Sequence, residues 1–335
     1  MTGQRSEHAH LDEVRAVHTP AGSPAPGSSR KGTGGLAPRK KASHGHGGPR
    51  QPAGYLWLLP ALVLSVGLIY YCIGFTGYIS TLKWDGASPN PKSVGLANYV
   101  AALNDPIFWG AIGHTVLFFV VTFSVQTVLG VVFAALLHSQ IRLKMLYKVI
   151  VFIPVVLAPA IMAPVFRQIF AADGQFNQVL TAVGMGGFAQ PWLAQSTTAL
   201  PVIMVITIWE WTGLNFILYY AAMSQIETEV LEAARMDGAG NIRILVSIVW
   251  PSVHPTTLAI AMLSAISALK TFDVPYLVTI GGPNYATEFL GTLIYRVSIP
   301  LAKVGYGAAI SVLLLILALA GAIALQLRGR NREDA

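Results

Sequence analysis

Residues 109–137 read WGAIGHTVLFFVVTFSVQTVLGVVFAALL. The stretch holds no Asp, Glu, Lys or Arg, and as a helix it exceeds the length needed to cross about 30 Å of hydrocarbon. Water is therefore not the solvent of this segment. Five further stretches, 55–80, 149–170, 200–223, 255–280 and 305–327, are similarly apolar and of spanning length. Backbone groups in lipid must find partners within the segment, and none of these stretches alternates as a membrane barrel strand does, so each is expected to be a helix. The fold class is all-α, a polytopic membrane protein with six transmembrane helices.

Composition agrees. The 335 residues are 54% hydrophobic and only 11% charged, against about 25% charged in ordinary soluble domains. The single cysteine, Cys72, excludes a disulfide framework and a thiolate metal site. A net charge of +7 could point to nucleic acid, but eight of the 22 basic residues fall in the first fifty positions. Residues 1–54 are rich in Gly, Pro, Ser and His and poor in large apolar side chains, so they are expected to form a disordered cytoplasmic arm. His44 and His46 have no rigid scaffold for a metal, and the long apolar run that begins at Tyr55 is not a signal-peptide core.

Basic residues near the spans set the orientation. Arg39, Lys40, Lys41 and Arg50 precede the first helix, and Arg142, Lys144 and Lys148 lie between the second and third. Arg235 and Arg243 lie between the fourth and fifth, and Arg328, Arg330 and Arg332 follow the sixth. The other side holds Lys83, Lys92, Arg296 and Lys303, so both termini, including a tail over 328–335, are expected in the cytoplasm and residues 81–108 form an external loop.

The connection 224–254 is long, cytoplasmic and helix-forming, with acidic residues at Glu227, Glu229, Glu232 and Asp237. Within it stand Glu232, Ala233 and Ala234, then Gly238 after three residues, then Ile248 and Pro251 beyond a gap of nine. A short amphipathic helix over 230–236, a sharp turn at Asp237, Gly238, Ala239 and Gly240, and a second helix over 242–249 follow from the residue types. An ordinary helix–turn–helix with a solvated acidic face is the plainer alternative. The spacing resembles the EAA motif of binding-protein-dependent ABC importer permeases, with Trp250 in place of the usual Leu. The resemblance implies that Glu232, Ala233, Ala234, Asp237, Gly238 and Ala239 form a coupling element that docks on a separate cytoplasmic ATPase. No G-x-x-x-x-G-K-[ST] loop occurs, so this chain is expected to be non-catalytic and to bind no cofactor, with ATP and Mg on the partner.

Further resemblance points to the sugar-uptake branch, the first membrane subunit of maltose-type importers. It rests on Gly95-Leu96-Ala97-Asn98-Tyr99, Asp105-Pro106-Ile107-Phe108-Trp109, Asp173 to Asn177 and Pro191-Trp192-Leu193. It closes on Phe272-Asp273, Thr279, Gly281-Gly282-Pro283 and Thr287-Glu288. His114, Glu227 and Ile280 depart from that pattern. The implied assembly contains a second permease subunit, two ATPase subunits and an external solute-binding protein in a bacterial plasma or inner membrane.

Ionisable side chains within spans are costly and read as functional. His114, Glu210, Lys270 and Asp273 qualify, the last two expected on one helical face as a mutually neutralising pair. Trp209, Glu210, Trp211, Gly213 and Asn215 combine aromatic, carboxylate and amide groups suited to a sugar's ring faces and hydroxyls. By resemblance the cargo path draws on these and on the fifth helix at Ser264, Ser267, Ala268 and Thr271. Packing and interfacial anchoring are the alternative for the tryptophans. Pro154, Pro159 and Pro164 are expected to kink the third span. An ion-coupled secondary transporter, using Lys270 and Asp273, and a membrane-embedded transferase are the rival functions.

Overall fold

The computed structural model describes residues 59–138 and 143–333. The arm over 1–54, with His44 and His46, lies outside the described residues, as do Arg142 and the last two residues. Helix α1 covers Leu59–Ile79. A two-stranded hairpin follows, β1 Leu82–Lys83 antiparallel to β2 Lys92–Ser93, and then α2, Ala97–Leu103. Helix α3 is Pro106–His138, α4 Lys144–Val156, α5 Pro159–Ile169 and α6 Gln175–Ala182. Helix α7 is Ala199–Met223, α8 Thr228–Met236, α9 Asn241–Ser252 and α10 His254–Leu269. Helices α11, Asp273–Thr279, α12, Leu290–Ser298, and α13, Val304–Glu333, complete the described chain.

Among the described residues, α1, α3, α7 and α13 are each long and apolar enough to cross a membrane unbroken. The pairs α4 with α5, bent by 95°, and α9 with α10, bent by 66°, raise the number to as many as six if each pair is one span. The third apolar stretch contains three prolines but breaks once. Pro154 and Pro164 lie inside α4 and α5, whereas Leu157 and Ala158 ahead of Pro159 are extended, at ψ 126° and 135°. A residue before proline is pushed out of the helical region by the pyrrolidine ring, and Pro159 then opens the next helix where it lacks only an orphan N–H.

The expectation of one helix over 255–280 is corrected. Helix α10 stops at Leu269, Lys270 caps it, and α11 begins at Asp273 after Phe272 at φ −143°. Pro275 supplies the reason: it has no N–H to give the Thr271 carbonyl and its ring would collide with that carbonyl, so it is accommodated only in the first turn of a new helix. Lys270 and Asp273 therefore do not share a helical face.

Helices α3 and α7 form the central pair. Gly130 of α3 lets them meet, since a Cβ there would stand 3.0 Å from the Tyr219 ring and 3.3 Å from the Asn215 backbone. Gly213 on α7 likewise admits the Val151 carbonyl of α4. One apolar cluster, including Phe118, Met162, Ile203, Ile206 and Phe289, fills the middle. A second joins Phe216 and Tyr219 of α7 to Leu231 of α8, Ile244 of α9 and Ile260 of α10. A third packs Phe108 and Ala111 against Leu290, Leu293 and Ile310 at the hairpin end.

Candidate functional site

The α8–α9 corner is a helix stop of defined geometry. Ala239 N–H donates to the Ala234 carbonyl at 2.9 Å and Gly238 N–H to the Arg235 carbonyl at 3.0 Å. With Gly238 at φ 79°, this is the six-to-one and five-to-two pattern of a Schellman stop, which favours glycine because L-side chains resist that backbone region. Leu231 is buried, and Ala234 and Ala239 are half-buried against the cluster that contains Phe216 and Tyr219. Glu232, Ala233, Asp237 and Gly238 are exposed. The corner is thus anchored on one side and bare on the other.

Two residues outside the motif dominate the bare side. Met236 is 88% exposed and Ile242 80%, flanking the turn, with Val230 and Val246 also outside the core. Water gains nothing from such a surface, so the tip is apolar area that the chain itself leaves uncovered. Nothing in the EAA spacing names Met236 or Ile242. They were findable as the apolar residues left over once Leu231, Ile244 and Ile248 are assigned to the inner face of the two helices.

The second site is a cavity of about 350 Å³ between α3, α7, α10 and α11, with Pro159 at the head of α5 also in its lining. Glu210, Trp211 and Asn215 line it from α7, and Ser264, Ser267, Lys270, Thr271 and Asp273 from α10 and the segment beyond. Trp209 and Gly213 do not. Trp209 packs edge-on against Phe166, centroids 5.2 Å apart, and Gly213 serves the α4 approach. Glu210 is 2% exposed, and its Oε2 has no hydrogen-bond partner. Asn215 Nδ2 donates to Gln126 Oε1 at 3.2 Å, and Gln126 Nε2 to the Thr207 carbonyl at 3.1 Å.

Helix α3 adds Phe118, Thr122 and Gln126 to the lining, none of which was singled out above. The signal was present: Thr115, Thr122 and Gln126 recur seven and four residues apart in a span that is otherwise almost wholly apolar, so they lie on one helical face. The break at Lys270–Phe272 also has a use here. It lets the consecutive residues from Lys270 to Val274 all line a space that a continuous helix would have lined with every third or fourth residue.

His114 takes a structural position, its Nδ1 lying 2.9 Å from the Glu288 carbonyl oxygen. Glu288 is itself buried and contacts Arg296 at 2.7 Å, the one ion pair among the described residues, while Arg296 Nη2 donates to the Ile280 carbonyl at 2.7 Å. Gly281, at φ 78°, leaves room for both side chains. This clamp closes the loop between α11 and α12 at the hairpin end of the molecule.

A family model described as binding-protein-dependent transport system inner membrane component matches residues 126–331. The chain is 32% identical over 263 residues to the probable ABC transporter permease protein YurN of Bacillus subtilis, covering 78% of this chain and 90% of that one. It is 31% identical over 265 residues to the lactose transport system permease protein LacF of Rhizobium radiobacter, covering 78% and 88%. It is 31% identical over 261 residues to the trehalose/maltose transport system permease protein MalF of Thermococcus litoralis, again covering 78% and 88%. A crystal structure of a bacterial alginate ABC transporter in complex with alginate pentasaccharide-bound periplasmic protein superposes with a TM-score of 0.73 at 20% identity, covering 83% of this chain and 94% of that one.

Proposed function

The chain belongs to the binding-protein-dependent transport system inner membrane components, and we propose that it is the sugar-translocating permease subunit of an ATP-driven importer, working by alternating access. The observation that carries the mechanism is the α8–α9 corner, an apolar tip of Met236 and Ile242 fixed to α7 and α10 through Leu231 and Ile244. In this reading the corner lies in the cytoplasm together with both termini, and six spans result from counting each bent pair once. Two separate ATPase subunits hold ATP and Mg, and their closure pushes the tip. Because the anchor is packed rather than hinged, the push reaches α7 and α10, the two helices that carry most of the cavity lining.

Cargo passes through that cavity, alongside a second permease subunit, after delivery by an external solute-binding protein. A sugar fits because the lining mixes an aromatic ring, Trp211, with hydroxyls, an amide and carboxylates. Glu210 Oε2, buried with no partner, needs a donor, and a sugar hydroxyl is one. Names of relatives that carry lactose, trehalose and maltose support the same class. The rival secondary transporter is less well supported, since Lys270 caps α10, Asp273 opens α11, and the two form no ion pair.

Sugar uptake into vesicles holding the complete reconstituted complex tests this. Uptake requires ATP, and Gly238→Pro abolishes it, because proline cannot adopt φ 79° and has no N–H for the Arg235 carbonyl. Full uptake by that variant would falsify the coupling role.

A further inference from the structure

The transmembrane cavity carries charge that a neutral sugar does not answer. Its lining holds three ionisable side chains, Glu210 on α7, Lys270 at the end of α10 and Asp273 at the start of α11. Among the described residues none of the three is in an ion pair. One ammonium offsets one carboxylate, so two carboxylates against one lysine leave a single negative charge facing the space. Glu210 is the more demanding of the two acids, since it is 2% exposed whereas Asp273 and Lys270 are open to their surroundings.

The chain does not supply the donor that Glu210 lacks. Thr122, Thr207 and Thr271 give their hydroxyl protons to the carbonyls of Phe118, Ile203 and Ser267. The amides of Gln126 and Asn215 are joined to each other, and Gln126 also donates to the Thr207 carbonyl. Glu210 Oε2 is left with no partner. A buried carboxylate is costly until it is both hydrogen-bonded and paired with a cation. A sugar hydroxyl answers the first need only. An ammonium answers both, and charge-assisted hydrogen bonds are about twice as strong as neutral ones. Trp211, in the same lining, adds an aromatic face that attracts a cation as well as a sugar ring.

We propose that the cargo is an amino sugar, whose ammonium seats against Glu210 and whose hydroxyls meet the rest of the lining. Asp273 strengthens the negative field in the cavity and Lys270 opposes it. The inference rests on the transport reading and deepens it by naming the chemical class of the sugar. A neutral sugar filling the same space leaves the Glu210 charge buried and uncompensated, so discrimination comes from that penalty as much as from attraction to the cation.

The test uses the full chain in phosphatidylcholine nanodiscs with glucosamine and glucose, which differ only in an ammonium for a hydroxyl at one carbon. Each is titrated at about pH 6, where the amine is charged, and read by saturation-transfer NMR. Glucosamine binds at least about fivefold more tightly than glucose. Glu210→Gln brings the two within about twofold of each other. Both sugars are measured on one preparation, so partial misfolding cancels from the ratio. Lys270→Gln removes a like charge and strengthens glucosamine binding by about twofold or more, with no matching gain for glucose, a result that a merely structural role does not produce. Equal binding of the two sugars by the wild type overturns the proposal. So does a preference that survives Glu210→Gln, weaker glucosamine binding by Lys270→Gln, or binding of neither sugar. The assay needs no ATPase and no solute-binding protein, so ATP-driven uptake of neutral sugars alone by the complete complex would leave the transport reading standing while this inference fell.

Discussion

The α8–α9 corner and the transmembrane cavity place their exposed and buried groups in opposite ways. At the corner, apolar side chains face outward on a backbone held rigid by a Schellman stop and by Leu231; in the cavity, polar side chains face inward on helices interrupted at Ala158 and again at Lys270–Phe272. An outward apolar tip is stabilised only when something covers it. An inward carboxyl oxygen without a partner is satisfied only when something enters. Under the proposed function one site takes a lasting protein partner and the other a transient small one, and separate variants should disable them separately.

The largest effect is expected from Met236→Asp combined with Ile242→Asp. Both side chains are almost fully exposed in the isolated chain, so the fold loses nothing, but each buried anchor at a protein contact typically contributes about 2 kcal/mol or more. Together they should weaken ATPase association by about a thousandfold, read as loss of the ATPase on co-purification, with the melting profile unchanged. Retained ATPase in that variant would remove the distinction between the two sites. Next comes Leu231→Ala, which leaves the tip intact and opens a gap beneath it. About 2–3 kcal/mol of packing should be lost, and ATPase should still co-purify while uptake falls about tenfold, because the lever then moves without carrying α7.

How far the sequence disclosed each site follows from the same contrast. The corner is one contiguous segment, and the glycine at Gly238 and the small residues around it are local requirements that a linear pattern records. The cavity is assembled from five helices, with Pro159 of α5 joining α3, α7, α10 and α11, so its register depends on close approaches at Gly130 and Gly213 that composition does not reveal. Trp209, two residues from Trp211, faces Phe166 instead of the cavity, and helical geometry separates such neighbours by about 200°. The apolar runs located the spans, but the breaks before Pro159 and Asp273 required knowing which of several prolines would be tolerated inside a helix. Pro154 and Pro164 are, and nothing in their immediate neighbours distinguishes them from Pro159.

On the cavity side, Glu210→Gln keeps the side chain's shape and replaces one carboxyl oxygen with an amide nitrogen that cannot accept. Uptake should fall about tenfold, about 1.4 kcal/mol, if the unpartnered oxygen accepts from a cargo hydroxyl and that hydrogen bond is lost. ATPase co-purification should be unaffected. An equal loss of ATPase would mean that Glu210 supports the helix bundle rather than the path.

The smallest effect is expected at Glu232, although it heads the motif. Its carboxylate is exposed on α8, and a charge at the rim of a protein contact is screened by salt and contributes little once the apolar anchors are seated. Glu232→Gln should therefore lower ATPase affinity less than about fivefold, and the deficit should shrink further as salt is raised. If Glu232→Gln instead matched the double aspartate variant in effect, the carboxylate would be a desolvated contact at the centre of the docking surface and Met236 and Ile242 its surround. The comparison would then turn on buried charge at both sites, the corner seeking a cation as the cavity seeks a hydroxyl.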